Sequence, residues 1–145
     1  MNLRLFGAFA VGAVLACQGE PLGPSSAGGL TLSLALSSLQ LQRGEPDSIA
    51  VTLTNRDRNA VSLSAGGCPL LFYVTDARGA SVVPSGGDWI CIDIISRITL
   101  APGAQQTQTF LWDTHSVAPG RYAVFGTFVA DGIRLSTARA AVDVN

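Results

Sequence analysis

Apolar and polar residues alternate along most of the chain from residue 30 onward, with the two-residue period that is typical of β-strands with one buried face. In Leu30–Leu36, leucines at every second position alternate with threonine, serine and alanine. This alternation, or a short apolar run, predicts about seven to nine short strands, with candidates at residues 30–36, 49–54, 61–64, 70–75, 80–83, 92–100, 106–112, 121–129 and 133–144. The pattern indicates an all-β protein.

The segments between these strands contain turn sequences. Residues 101–104 and 118–121 both begin with Ala-Pro-Gly, in which proline presets a negative φ and glycine takes the positive φ of a type II turn. Asp131-Gly132 is a strong hairpin signal between the last two predicted strands. Short strands with frequent turns favour an antiparallel Ig-like β-sandwich over residues 30–145, with a small closed β-barrel as the alternative.

The composition supports a folded domain and limits its partners. Apolar residues make up 48% of the 145 residues and charged residues 13%, which argues against disorder over the body of the chain. The sequence has no lysine, its formal net charge is −1, and its arginines are mostly spread singly. Because a nucleic-acid surface needs a basic patch, we expect no nucleic-acid partner.

Residues 1–16 have the layout of a secretory signal peptide. Arg4 precedes an apolar run of about twelve residues, which is too short to span a bilayer. The run ends in Val14-Leu15-Ala16-Cys17, which resembles the bacterial lipobox. The resemblance implies cleavage before Cys17 and attachment of diacylglycerol to its thiol. The alternative is an ordinary secretory signal that ends by chance in a cysteine.

Residues 17–29 are rich in glycine, proline and serine and lack hydrophobic periodicity, which predicts a flexible linker after the lipidated cysteine. The expected membrane partner is the bilayer that holds the lipid on Cys17. We therefore expect an exported protein that is lipid-anchored to the cell envelope, at the outer membrane or the periplasmic face if the host is Gram-negative.

The two remaining cysteines, Cys68 and Cys91, form an even pair in an exported domain, where oxidising conditions favour a disulfide. Such a bridge would stabilise the fold by roughly 3 kcal/mol in the chain-entropy model. The alternative is a metal site, which has little support because His115 is the only histidine and no Cys-x-x-Cys spacing exists. We expect no metal and no other cofactor.

Residues that could support catalysis are few. His115 lies near Asp113 and Ser116, but no nucleophile turn of the Gly-x-Ser-x-Gly type is present. Asp93 lies inside an apolar run and would need a second carboxylate for glycosidase chemistry. We predict no catalytic residue and a protein that is not an enzyme.

The glycine-rich segment before Cys91 contains the candidate binding residues, Asp88 and Trp89. A tryptophan in such a loop either packs on the disulfide or serves as a contact anchor for a partner. Both interpretations of Trp89 stay open at this point, with Asp88 as its neighbour in the same candidate site.

Five sequence elements follow one another between residues 49 and 131. They are Val51-Thr52-Leu53-Thr54-Asn55, Phe72-Tyr73-Val74-Thr75-Asp76 with Gly79, Leu100-Ala101-Pro102-Gly103, Phe110-Leu111-Trp112 and Pro119-Gly120-Arg121-Tyr122-Ala123-Val124. In this layout the chain resembles the BsuPI family of bacterial Ig-like domains, named for an intracellular proteinase inhibitor. The resemblance implies an Ig-like fold and suggests proteinase inhibition as an activity.

The anchor, the linker and the sandwich together predict a lipid-anchored cell-envelope protein with a non-catalytic Ig-like domain. Its expected role is to bind a protein or an envelope glycan, or to act as a structural accessory. The alternative is a proteinase inhibitor of the BsuPI type. In that case the loop bridged by Cys68 and Cys91 would be the rigid contact segment, with Trp89 near its tip.

Overall fold

The computed structural model describes residues 25–145, which form an all-β domain. Its strands are β1 (Ser25–Ala27), β2 (Leu30–Leu36), β3 (Gln40–Leu41), β4 (Asp47–Asn55), β5 (Val61–Ala65), β6 (Leu70–Thr75), β7 (Ser81–Val83), β8 (Ser96–Leu100), β9 (Gln105–Trp112), β10 (Gly120–Ala130), β11 (Ile133–Ser136) and β12 (Ala140–Val144). Within this range no helix is long and apolar enough to cross a membrane.

Two main sheets make up the domain. The smaller sheet has the strand order β1-β2-β4-β9, and the larger has the order β3-β12-β10-β6-β7, with β11 also paired to β10. β5 and β8 form a separate two-stranded sheet. In the described range every strand pairing is antiparallel except the short one between β12 and β3, which is parallel.

The apolar residues of the alternating pattern form the core between the two main sheets. Ile49 and Val51 of β4 are completely buried, and so are Val124 and Phe128 of β10. Burial of one such side chain contributes about 1.5–3 kcal/mol. The sheets approach closely at Gly126, where an added Cβ would lie 2.8 Å from Val51 Cγ1. The predicted β-sandwich is therefore confirmed, and the two sheets do not close into a barrel.

Residues 25–145 contain twelve strands, more than the predicted seven to nine. Two of the additional strands, β1 and β3, are only three and two residues long, too short to show an alternation in the sequence. β1 pairs with β2 through Ser25, Ser26 and Ala27. The sandwich thus includes residues before position 30, within the segment that the composition assigns to the linker.

The predicted strand at residues 133–144 is two strands, β11 and β12, separated by residues 137–139. The hydroxyl of Thr137 occupies the break. Its Oγ1 accepts a hydrogen bond from the Gly126 N–H at 2.9 Å and donates one to the Ala138 carbonyl at 2.9 Å. Because a side chain here takes the place of a backbone partner, the ladder is interrupted before the chain rejoins β10 as β12.

Two of the elements behind the family resemblance form one structural junction. Asn55, at the end of β4, is completely buried, and its Nδ2 donates to the carbonyls of Asn59 and Leu100 at 2.8 and 3.0 Å. Its backbone N–H donates to the Ala104 carbonyl at 3.0 Å, and its carbonyl accepts from the Gly103 N–H at 2.9 Å. Hydrogen bonds of Asn55 therefore join the end of β4 to the Leu-x-Pro-Gly turn.

The aromatic elements of the resemblance are structural in the same way. The Tyr122 hydroxyl donates to the Ala118 carbonyl at 2.6 Å, four residues upstream. The Tyr122 ring meets Trp112 edge-on, with the ring centroids 5.7 Å apart, and Trp112 is buried. A tyrosine bonded back to the preceding corner is a hallmark of Ig-like sandwiches. These motifs carry information about the fold rather than about an activity.

Candidate functional site

The segment between β7 and β8 places four large apolar side chains in solvent within six residues. Ile90 is 100% exposed, Ile95 83%, Ile92 68% and Ile94 51%. We call residues 88–95 the isoleucine loop. Single exposed apolar residues are common on protein surfaces, but a concentration of them marks an interaction site.

The predicted disulfide attaches this loop to the domain and is confirmed, since Cys68 and Cys91 are bonded with their Cα atoms 5.7 Å apart. A second attachment lies at Gly67, next to Cys68. A Cβ at Gly67 would lie 2.2 Å from the Ile92 carbonyl oxygen, so only glycine permits this approach. The Ile94 N–H donates to the same carbonyl at 3.0 Å and closes a tight turn. The loop is therefore held at two adjacent points.

Trp89 attaches the start of the loop to the core. Its side chain is half-buried, and its Nε1 donates to the Phe72 carbonyl at 2.8 Å. Its ring centroid lies 5.4 Å from that of Phe72 and 6.3 Å from that of Phe110. Of the two interpretations of Trp89, packing describes its geometry, although its partners are two phenylalanines. Asp88 is exposed beside it, and a binding role for either residue stays a prediction.

A shallow depression of about 460 Å³ lies beside the loop. The bridged cysteines, Ile92, Asp93 and Val129 contribute to its lining. Val129 is 39% exposed and extends the apolar surface from the loop onto the end of β10. The lining of this depression combines apolar side chains with one carboxylate, that of Asp93.

The prediction that residues 92–100 form one strand is wrong over its first four positions. β8 begins at Ser96, where its pairing with Ala65 starts. The bond from Cys91 to the turn before β6 holds the chain outside the ladder until that point. One signal in the sequence was available, because the adjacent pair Ile94-Ile95 breaks the two-residue period. The exposed isoleucines were missed because their spacing matches a buried strand.

The candidate catalytic residues lie on different connections: Asp93 is on the isoleucine loop, whereas Asp113 and His115 lie between β9 and β10. His115 Nδ1 lies 2.6 Å from Asp113 Oδ1, and both side chains are largely exposed. Hydrogen bonds from the His115 backbone N–H and from its ring lower the pKa of the Asp113 carboxyl. Within residues 25–145 no three His, Cys, Asp or Glu side chains form a group that could hold a metal ion. Cys17, the predicted lipidation site, lies outside the described residues.

The fold is similar to that of solved proteins with other sequences. No family model matches the chain, and no curated protein matches it. The CARDB domain of a Pyrococcus furiosus protein, solved in complex with di-metal ions, aligns over 84% of this chain and 89% of its own, with a TM-score of 0.50 and 16% identity. At that identity the likeness concerns the fold alone. It identifies the domain as an Ig-like β-sandwich.

Two enzymes also align with part of the chain, at TM-scores below 0.5. The alkylpurine DNA glycosylase AlkC of Pseudomonas fluorescens, bound to DNA containing an abasic site analog, aligns over 81% of this chain at 16% identity and a TM-score of 0.48. A β-glucosidase from Listeria innocua, in complex with glucose, aligns over 79% at 19% identity and a TM-score of 0.45. This chain spans only 30% and 16% of those two chains, respectively.

Proposed function

We propose that the protein is a lipid-anchored, non-catalytic module of the cell envelope that binds a partner protein through its isoleucine loop. The lipobox-like sequence before Cys17 supports the anchor. The observation that carries the binding role is the exposure of four isoleucines on one short loop. An apolar side chain stabilises a fold when it is removed from water, so the exposed isoleucines contribute little to the stability of this domain. A group of exposed apolar side chains is typical of an interaction site.

The energetics favour a protein partner. Complete burial of one isoleucine contributes about 1.5–3 kcal/mol, so burial of two or three is enough for a specific contact after the cost of association. The disulfide and the contact at Gly67 hold the loop before binding, which reduces the ordering entropy lost on association. Aliphatic side chains suit an apolar groove on a protein better than the hydroxyl-rich surface of a neutral glycan.

The binding role is tested by affinity capture from solubilised cell envelopes, with the full-length protein as bait. Ile90→Ser combined with Ile95→Ser is expected to lose the specific partner that the unmodified protein retains. Leu111→Ser is the matched control, because Leu111 is 68% exposed but lies on β9, outside the isoleucine loop. Recovery of only abundant background proteins by the unmodified bait, or equal recovery by the double variant, contradicts the proposal.

The anchor is tested separately by Cys17→Ala. We expect the unmodified protein to incorporate labelled fatty acid and to sediment with membranes. The variant should do neither. Membrane association and labelling that survive the substitution would show that Cys17 does not carry the lipid.

A second candidate function is inhibition of a proteinase, as the BsuPI resemblance suggests. One observation favours it: Ile90 is fully exposed and directly precedes the bridged Cys91, as an inhibitory contact residue on a rigid loop would be. Inhibition by the unmodified protein that is lost in Ile90→Asp would establish this function. Serine, cysteine and metalloproteinases that all stay fully active in excess protein would rule it out.

A further inference from the structure

A cleft on the outer face of the larger sheet brings together three arginines that are distant in sequence. Arg78, Arg121 and Arg139 all line this cleft, which has a volume of about 520 Å³. They come from the β6–β7 turn, from β10 and from the residue before β12. In a chain of net charge −1 without lysine, this is a local concentration of positive charge that the spacing of the arginines does not reveal.

The floor of the cleft consists of small side chains on three adjacent strands. Ala123 of β10 lies opposite Thr75 of β6 on one side and opposite Ala141 of β12 on the other. Strand residues alternate between the two faces of a sheet, and Tyr122 and Val124 are buried, so Ala123 between them faces outward. These small residues form the floor of the cleft, and the longer arginine side chains form its walls.

Two carboxylates lie near the cleft, so its three arginines leave a net positive charge of one. Asp76 is the single acid in its lining, and its Oδ1 accepts hydrogen bonds from the Arg78 and Ala80 backbone N–H groups at 2.9 and 2.8 Å. Asp143 Oδ1 lies 3.7 Å from Arg121 Nε in a largely exposed pair. Among residues 25–145 this is the one ion pair that the three arginines make.

An aromatic pair continues the outer face beside the cleft. Tyr73 and Phe125 lie opposite each other on β6 and β10 and stack with their ring centroids 5.3 Å apart and an interplanar angle of 13°. The Arg139 guanidinium lies 4.7 Å from the Phe125 ring centroid, and its Nη1 is 3.5 Å from Thr75 Oγ1. These contacts restrict one of the cationic groups before any ligand arrives.

We propose that this cleft binds an acidic oligosaccharide. The arginines would pair with carboxylates on the sugar, since a planar guanidinium matches a carboxylate in two parallel hydrogen bonds. Because the Arg139 guanidinium already covers the Phe125 ring, the Tyr73 ring beside it is left as the apolar surface for a sugar ring at the edge of the cleft. The volume falls within the roughly 300–1,000 Å³ that is usual for small-ligand sites. Three cations are too few for a nucleic-acid surface, which makes many phosphate contacts.

The test is a calorimetric titration of the full-length protein in detergent with trigalacturonic acid. We expect saturable binding that weakens as salt is raised, because the contact is electrostatic. Fully methyl-esterified trigalacturonate, which keeps the sugar rings but loses the charges, should not bind. Inorganic phosphate should compete only at concentrations at least tenfold higher. Absence of binding by the acidic sugar, or competition by phosphate at equal concentration, would overturn the proposal.

Variants assign the binding to the cleft. Arg139→Gln and Arg121→Gln are each expected to weaken binding at least tenfold, whereas the exposed Arg134→Gln on β11, outside the cleft, is the matched control. Thermal unfolding verifies that each variant is folded. Equal affinity in all three variants would place binding elsewhere. The site is independent of the isoleucine loop, so Ile90→Ser with Ile95→Ser should bind the sugar normally, and each proposal can fail without the other.

Discussion

Replacement of Asn55 by alanine is expected to destabilise the domain more than the loss of one polar side chain suggests. The side chain is completely buried between the end of β4 and the turn that precedes β9. Its Nδ2 donates to the Asn59 carbonyl at 2.8 Å and to the Leu100 carbonyl at 3.0 Å, and its Oδ1 accepts from the Asp57 N–H at 2.9 Å. Alanine removes all of these bonds and leaves the backbone groups without their partner.

The magnitude follows from these three bonds, because the fourth contact, from Nδ2 to the Ala101 carbonyl at 3.2 Å, shares the two amide hydrogens with them. Each contributes a net 1 kcal/mol or so, and the Leu100 carbonyl lies where water does not replace the lost donor. We therefore expect Asn55→Ala to lower the free energy of unfolding by about 3 kcal/mol, a large part of the roughly 5–15 kcal/mol that is usual for a domain. Asn59→Ala is the matched control. Asn59 is exposed and takes part through its backbone carbonyl, so its substitution should change stability by less than about 0.5 kcal/mol.

The assay is urea unfolding followed by tryptophan fluorescence, because Trp112 is buried and Trp89 half-buried in the folded state. Asn55→Asp adds a sharper comparison, since it keeps the size and the acceptor oxygen but replaces the donor nitrogen with a second oxygen. It should lose at least as much stability as alanine at neutral pH, because a carboxylate would face carbonyl oxygens. A loss below about 1 kcal/mol for Asn55→Ala, or native stability in Asn55→Asp, would refute the role assigned to this junction.

Three further outcomes are expected. Gly67→Ala should displace the isoleucine loop, since its methyl group would meet the Ile92 carbonyl at 2.2 Å; amide NMR shifts confined to the loop would verify this, and an unchanged spectrum would contradict it. Joint replacement of Cys68 and Cys91 by serine should lower the free energy of unfolding by roughly 3 kcal/mol, measured by urea unfolding, because the bridge joins residues 23 positions apart. Tyr122→Phe should cost about 1 kcal/mol in the same measurement, and no loss would mean that its hydroxyl bond contributes nothing.

Most of the fold was predictable because one face of each sheet is buried. Where one face packs on a core and the other meets solvent, the sequence must alternate, and β2, β4 and β6 show that alternation. Local turn chemistry located the turn at residues 101–104, where Gly103 has a φ of 74° and the Ala104 N–H donates to the Ala101 carbonyl. The second predicted type II turn, at residues 118–121, is wrong, because Gly120 is already the first residue of β10. The break between β11 and β12 was not predictable, because it depends on a Thr137 hydroxyl meeting Gly126, eleven positions earlier in the chain.

The candidate sites were less predictable from the sequence than the fold. The cysteine pair could be matched by counting, because the predicted lipidation of Cys17 leaves two cysteines, and these are bonded in the structure. The two-residue period in Ile90, Ile92 and Ile94 does not distinguish exposed isoleucines from a buried strand, and the adjacent pair Ile94-Ile95 is the one local departure from that period. A side chain is exposed when no other part of the fold packs against it. Only the tertiary structure shows that nothing packs against these isoleucines.

What the sequence determined by itself is therefore local: most of the strands, the turns at residues 101–104 and 131–132, the cysteine pair and the expectation of an exported, anchored module. What only the tertiary structure decided is the convergence of distant residues. Gly67 lies under the isoleucine loop, and Arg78, Arg121 and Arg139 surround one cleft. The physical reason is that backbone dihedrals and alternation act between neighbours in the chain, whereas a binding surface is built from the pairing of strands that the chain brings together from far apart.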